Sequence, residues 1–218
     1  MKRSRLISLV VAMLMPLAAI ADSYTSLWKQ FDSAMQKDHP QSALKVLAQI
    51  TDKAQRERAY GQLLKAQVSI AGCETMMSPD SLMPAIERLK HAEQTAVSNG
   101  DNVLAAVYQS VLGSVYTDNR RLLDDGVAIG KEYYAKSMAH PDALASAYAT
   151  GYEPFVVDGV DSKYYYDDLL HVIGMRAGDY RTMHDYYASH GKREGALLTA
   201  LELVKKSRRA GDEGRVKK

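Results

Sequence analysis

The sequence predicts an all-α protein: antiparallel helix hairpins stacked as a degenerate tetratricopeptide-like array, preceded by a signal peptide. Three observations predict it. Apolar residues recur at helical spacing almost throughout from Tyr24 onward. No stretch shows sustained strand alternation flanked by hairpin turns. Two helix pairs share one spacing of small and apolar residues.

The opening residues set the compartment. Lys2, Arg3 and Arg5 form a positive segment, Leu6 to Leu14 is apolar apart from Ser8, and Ala19-Ile20-Ala21 supplies the small-x-small pattern a signal peptidase accepts. The apolar run falls short of the ~20 residues a transmembrane helix needs. We therefore expect a signal peptide over 1–21, a mature chain from Asp22, and export to the periplasm or cell surface. The mature chain is expected to contain no transmembrane span.

The helices follow in order. Ser23 reads as the N-cap of a first helix that places Leu27, Phe31 and Ala34 on one face. After Asp38-His39-Pro40, a second carries Ala43, Leu44, Leu47 and Ile50, and a third carries Tyr60, Leu63, Leu64, Val68 and Ile70. Ser78-Pro79-Asp80 restarts the chain into a helix with Leu82, Ile86, Leu89 and Ala96, ended by Asn99-Gly100-Asp101. Helices are expected near 103–116, 122–138, 142–149, 164–177, 180–189 and 194–206, with 151–161 the longest stretch lacking helical spacing. Leu27, Ala34, Ala43, Leu47 and Ile50 recur in spacing as Tyr180, Tyr187, Ala196, Ala200 and Leu203. A small side chain there lets two antiparallel helices approach closely. Leu112-Gly113 with Tyr116 also looks like the first helix of such a unit. The domain reading is thus a helical domain over 22–206 and a disordered basic tail over 207–218.

Charge excludes one class of partner. Between Asp22 and Val204 there are 18 basic and 24 acidic residues, a net of −6, while the chain from Lys205 holds seven basic and two acidic. An acidic body argues against a nucleic-acid groove, whose affinity comes mainly from phosphate neutralisation. The single cysteine, Cys73, excludes an intramolecular disulfide and reads as a small core residue.

Chemistry-bearing patterns are sparse. Asp167, Asp168 and His171 are the best catalytic or metal-like cluster, with 167 and 171 four apart on one expected helix. The favoured reading is a capping acid beside a packed or exposed His. His184 and His190 are six apart and do not align on one helical face. The sequence holds neither a glycine-rich phosphate loop nor a Gly-x-Ser-x-Gly elbow. No catalytic residue, metal or cofactor is expected. Tyrosine is the unusual signal: of 14 in the chain, ten lie between Tyr133 and Tyr187, several of them adjacent. Neighbouring helical residues point about 100° apart, so some rings should reach solvent as rigid contact area. The expected partner surface is Tyr152, Tyr164, Tyr165, Tyr166, Asp168, His171, Tyr186 and Tyr187. Its occupant would be a protein, or alternatively a glycan or small ligand held by the tyrosine-rich half.

Two segments carry a family resemblance. Ser23-Tyr-Thr-Ser-Leu-Trp-Lys-Gln-Phe-Asp, continuing through Lys37-Asp-His-Pro-Gln-Ser-Ala-Leu-Lys-Val-Leu, resembles the opening of large alpha-2-macroglobulin-like proteins exported by Bacteroidetes. Tyr152-Glu-Pro-Phe-Val-Val-Asp-Gly-Val-Asp-Ser-Lys-Tyr, then Asp168-Leu-Leu-His-Val-Ile-Gly, is similar to a segment of that family's helical N-terminal region, and Ala196-Leu-Leu-Thr-Ala-Leu-Glu also fits it. The resemblance implies an exported helical scaffold that works by protein–protein interaction. Some family members carry a Cys-Gly-Glu-Gln thioester that traps proteases; here Cys73 is followed by Glu74-Thr75-Met76. The expectation is a non-catalytic interaction module, either a truncated or split member lacking the macroglobulin domains or a stand-alone unit.

Overall fold

A computed structural model describes residues 17–216 apart from Asp158, with side chains described over 24–157 and 159–209. It is all-helical, with ten α-helices and no strand among the described residues. None of these helices is long and apolar enough to cross a membrane. The chain divides into two compact units, residues 1–79 and 80–218.

The first unit holds α1 (Leu17–Gln36), α2 (Pro40–Glu57) and α3 (Tyr60–Met77), joined by two tight turns. Pro40 opens α2, where its missing N–H leaves no intrahelical bond unmade. The apolar stripe Ala43, Leu47, Ile50 and Ala54 is buried against Tyr24, Leu63, Ala66 and Cys73, with Leu27, Phe31 and Ala34 packed beside it. The unit's polar ties sit at the edges of that core. The Tyr24 hydroxyl donates to Glu57 at 2.7 Å, and Trp28 Nε1 donates to Gln62 at 2.6 Å. Burial pushes the Cys73 thiol above its ordinary range, as for a small core residue. Most of the expected export signal lies outside the described residues. Where description begins, α1 runs across Ala21-Asp22 and through Ser23, so Ser23 is an interior helical residue and not a cap. Leu17 to Asp22 contains no helix breaker, so these residues join Ser23 in the helix.

The second unit contains α4 (Leu82–Ser98), α5 (Asn102–Asp118), α6 (Gly126–Ser137), α7 (Pro141–Ala145), α8 (Leu169–Ala177), α9 (Tyr180–Ser189) and α10 (Arg193–Val216). Helix α5 is its spine, packing on α4, α6 and α8. Gly113 lets α6 come close: a Cβ there would stand 2.7 Å from the Tyr134 ring. Beside it, Ser114 Oγ sits 3.0 Å from the Tyr134 hydroxyl and receives a 2.6 Å hydrogen bond from Arg176, joining α5, α6 and α8.

Four element boundaries differ from the sequence reading. Helix α7 ends at Ala145 and not near 149, capped by Ser146. Helix α6 starts at Gly126 and not near 122, because Asp125 takes a positive φ of 58° that interrupts helical geometry. Helix α8 starts at Leu169 and not near 164, because Tyr166 and Asp167 both have positive φ, at 61° and 52°. Helix α10 does not stop at Lys206: the backbone from Ser207 is helical to Val216. Arg208, Arg209, Ala210 and Glu213 are good helix formers, and no proline interrupts them.

The α9–α10 hairpin also has a different contact register. The residues facing α9 are Gly195 and Thr199, both buried, while Ala196 and Ala200 are half-exposed. A Cβ on Gly195 would lie 2.9 Å from the Tyr187 ring, so the close approach depends on glycine one position before the expected alanine.

Candidate functional site

The tyrosine-rich half converges on Asp168. This residue ends the irregular chain after α7 and caps α8, accepting a hydrogen bond from the His171 backbone N–H at 2.9 Å. The same oxygen, Oδ1, accepts from the Tyr187 hydroxyl of α9 at 2.9 Å. The second oxygen, Oδ2, lies 3.6 Å from Lys192 Nζ, in the turn that leads into α10. One carboxylate therefore holds α8, α9 and the start of α10. It is almost fully buried, and burial pushes its pKa above the usual carboxylate range against the opposing pull of these donors. The Tyr187 phenol is pushed above its ordinary value too, first by burial and then by the adjacent Asp168 charge.

Aromatic rings surround the ion pair. Lys192 Nζ stands 4.6 Å from the Tyr166 ring centre, 5.5 Å from Tyr186 and 5.7 Å from Tyr187. Three ring faces near one ammonium replace part of the hydration the lysine loses. Tyr165 stacks on the His171 ring at 4.0 Å and packs against Tyr187 at 6.0 Å. Tyr186 stacks on His190 at 4.1 Å.

The cluster anchors a long loop. An isolated antiparallel bridge pairs Tyr148 with Asp168, through hydrogen bonds from Ala149 N to Asp167 O and from Leu169 N to Ala147 O, each 2.9 Å. Between these pinned ends, Tyr152, Val156, Ser162 and Tyr165 point inward and are buried, while Val160 and Tyr164 are exposed, as is Tyr148 at the pinned end itself. Val160 retains 93% of its accessible surface. Large apolar side chains are thus held in water by a loop whose base is fixed.

The expected partner surface is accordingly redistributed. Tyr152, Tyr165, Asp168 and Tyr187 are buried, so none of them lies on a surface, and Asp168 and Tyr187 form the anchor with Lys192. Tyr166, His171 and Tyr186 are half-buried around it, and Tyr164 remains exposed. Asp167 does not share a helix face with His171, since it precedes the helix with positive φ; the capping role belongs to Asp168. His184 is drawn onto α10, its Nδ1 lying 2.9 Å from the Ala196 carbonyl. Sequence reasoning missed Lys192 and Tyr148. A lysine in a Gly191-Lys192 turn has no periodic signal, and Tyr148 stands outside the adjacent-tyrosine groups that drew attention.

Shielded from solvent and saturated on one oxygen, the Asp168 carboxylate acts as a fixed acceptor. Among the described residues, no group of three or more His, Cys, Asp or Glu side chains is placed to hold a metal ion. No family model, no curated protein and no solved structure matches this chain.

Proposed function

We propose that this chain is an exported, non-catalytic interaction module that presents the loop between α7 and α8 to a protein partner. The observation carrying the proposal is the contrast within that loop. Tyr148, Val160 and Tyr164 stand exposed, while both loop ends are tied to the buried Asp168–Tyr187–Lys192 anchor. Exposed aromatic and aliphatic groups on a preorganised loop lose little conformational entropy on binding, which favours a specific contact. The consecutive helix hairpins are read as a degenerate tetratricopeptide-like array that supports this loop. The resemblance to the helical N-terminal region of macroglobulin-like proteins supports the scaffold role, and the leader-like first 21 residues support export. Exposed rings at Tyr148 and Tyr164 also favour a second reading, a stacking platform for a glycan.

The test is site-specific photocrosslinking in the cells that make the protein. A photoreactive residue at Val160 or Tyr164 should give one discrete protein adduct, absent when it replaces the exposed Glu132 of α6. Tyr187→Phe should weaken the adduct by loosening the loop's base. Equal labelling from Glu132, or none from either loop position, would defeat the protein reading. Saturable quenching of tyrosine fluorescence by a polysaccharide, lost in Tyr164→Ala, would favour the glycan.

A further inference from the structure

A second surface lies on α10 and is independent of the loop. The helix buries Gly195 and Thr199 and turns its opposite side outward. That side carries Leu197, Leu201 and Val204, which keep 64%, 48% and 49% of their accessible surface. Their spacing of four and three residues makes a continuous stripe along one face. The same face runs outward to Glu194 in one direction and Arg208 in the other, both exposed, each seven residues from Leu201. Seven residues are close to two turns, so all five positions share the stripe.

We propose that this face pairs antiparallel with the same face of a second copy of the chain, the two helices crossing at Leu201. The charged ends are self-complementary about that residue, with Leu197 and Val204 four and three residues to either side. A two-fold axis through Leu201 sets Glu194 of each copy opposite Arg208 of the other, making two ion pairs at the ends of an apolar strip. Parallel pairing would instead oppose Glu194 with itself and align Lys205, Arg208 and Arg209 with their own copies. The wider charge distribution agrees. Antiparallel packing carries the basic end of each helix along a chain whose residues from Asp22 to Val204 have six excess acids. An anionic lipid surface or an acidic helix would attract the basic end but leave Glu194 facing like charge. The strip is short, about 21 Å from Glu194 to Arg208 at 1.5 Å per residue, so the dimer is weak and concentration-dependent.

Sedimentation velocity of the protein as its host processes it should show monomer passing to dimer between about 5 and 500 µM. Leu201→Asp should remain monomeric across that range. Glu194→Arg should raise the dissociation constant about tenfold, and adding Arg208→Glu should restore it, since the swapped pair is again complementary. In a Cys73→Ala background, Leu201→Cys should oxidise to a disulfide-linked dimer, while Glu132→Cys should not. A protein monomeric at the highest concentration would overturn the proposal, as would a dimer indifferent to Leu201→Asp or a charge swap that fails to rescue. Binding of the monomer to vesicles of phosphatidylglycerol and phosphatidylcholine, with no self-association, would overturn it in favour of a membrane surface.

Discussion

The Tyr187 hydroxyl donates to Asp168 Oδ1 across 2.9 Å, joining the last turn of α9 to the N-cap of α8 where water is excluded from both side chains. Tyr187→Phe keeps the ring, and with it the packing on Tyr165 and Gly195, but removes the donor. A hydrogen bond to an ionised acceptor contributes about 1.5–3 kcal/mol, and this carboxylate has no water to replace it. The second unit should therefore melt several degrees lower, at about 2–4 °C per kcal/mol for a chain of this size. An unchanged melting curve would mean that the bond is idle.

Asp168 also makes a pH prediction with a definite sign. Burial is the largest influence on its pKa and raises it, so the folded state holds this proton more tightly than the unfolded state does. Its contribution to stability is then greatest below the ordinary carboxylate pKa near 3.9 and is lost as pH rises through the raised value. Asp168→Asn keeps an oxygen for Tyr187 and the helix cap but removes the titration. Urea denaturation across about pH 4 to 8 should show wild type losing stability relative to Asp168→Asn as pH rises. The opposite slope would show that the Lys192 charge outweighs burial.

Much of this architecture was legible in the sequence, for reasons tied to particular residues. Ala43, Leu47 and Ile50 recur at helical spacing, and all three are buried on α2, because an amphipathic helix has one solution for hiding its stripe. Pro40 marked the start of α2 for the same local reason. What could not be read depends on contacts distant in sequence. The positive φ of Tyr166 and Asp167 delays α8, and nothing local announces it. The bond from Tyr187 to Asp168 spans 19 residues, and the Arg176–Ser114 contact spans 62. Adjacent tyrosines flagged a region, but ring direction was decided by which helix lay opposite. The one-residue shift from Ala196 to Gly195 has the same origin: both are small, and only the facing Tyr187 ring distinguishes them.

That shift separates two glycine substitutions. Gly195→Ala would place a Cβ 2.9 Å from the Tyr187 ring, which is itself fully buried and cannot move aside. Overpacking of this kind costs about 1–3 kcal/mol. Gly72, inside α3, has nothing within 4 Å of a built Cβ, so Gly72→Ala should stabilise the first unit by about 0.5–1 kcal/mol through backbone entropy. Denaturation of the two variants should move in opposite directions. A neutral Gly195→Ala would indicate that α10 is free to shift away from α9.

Ala43→Leu tests the first unit in the same manner. Ala43 is fully buried in the core shared by α1, α2 and α3, so three added carbons have no free volume to occupy. A loss of about 1–3 kcal/mol is expected. A melting temperature indifferent to this change would show that the first hairpin is not closely packed there.

The far end of α10 makes the final prediction. Lys206 is its outermost described tie to the rest of the second unit: its ammonium donates to the Gly178 carbonyl at 2.8 Å, at the C-terminal end of α8, where a cation also complements the helix dipole. Ser207, Arg208 and Arg209 beyond it are exposed. A helix with little packing gains little beyond its own hydrogen bonds, and short helices alone are marginal in water. A chain ending at Lys206 should therefore melt within about a degree of the longer one when both are monomeric, a shift well under 1 kcal/mol. A chain ending at Val204 loses the Lys206 contact as well and should melt measurably lower. In the monomer, amides from Ser207 to Val216 should exchange quickly although the backbone there is helical. Slow exchange, or a large loss on truncation at Lys206, would show that this stretch is held by packing and is more than an unsupported extension of α10.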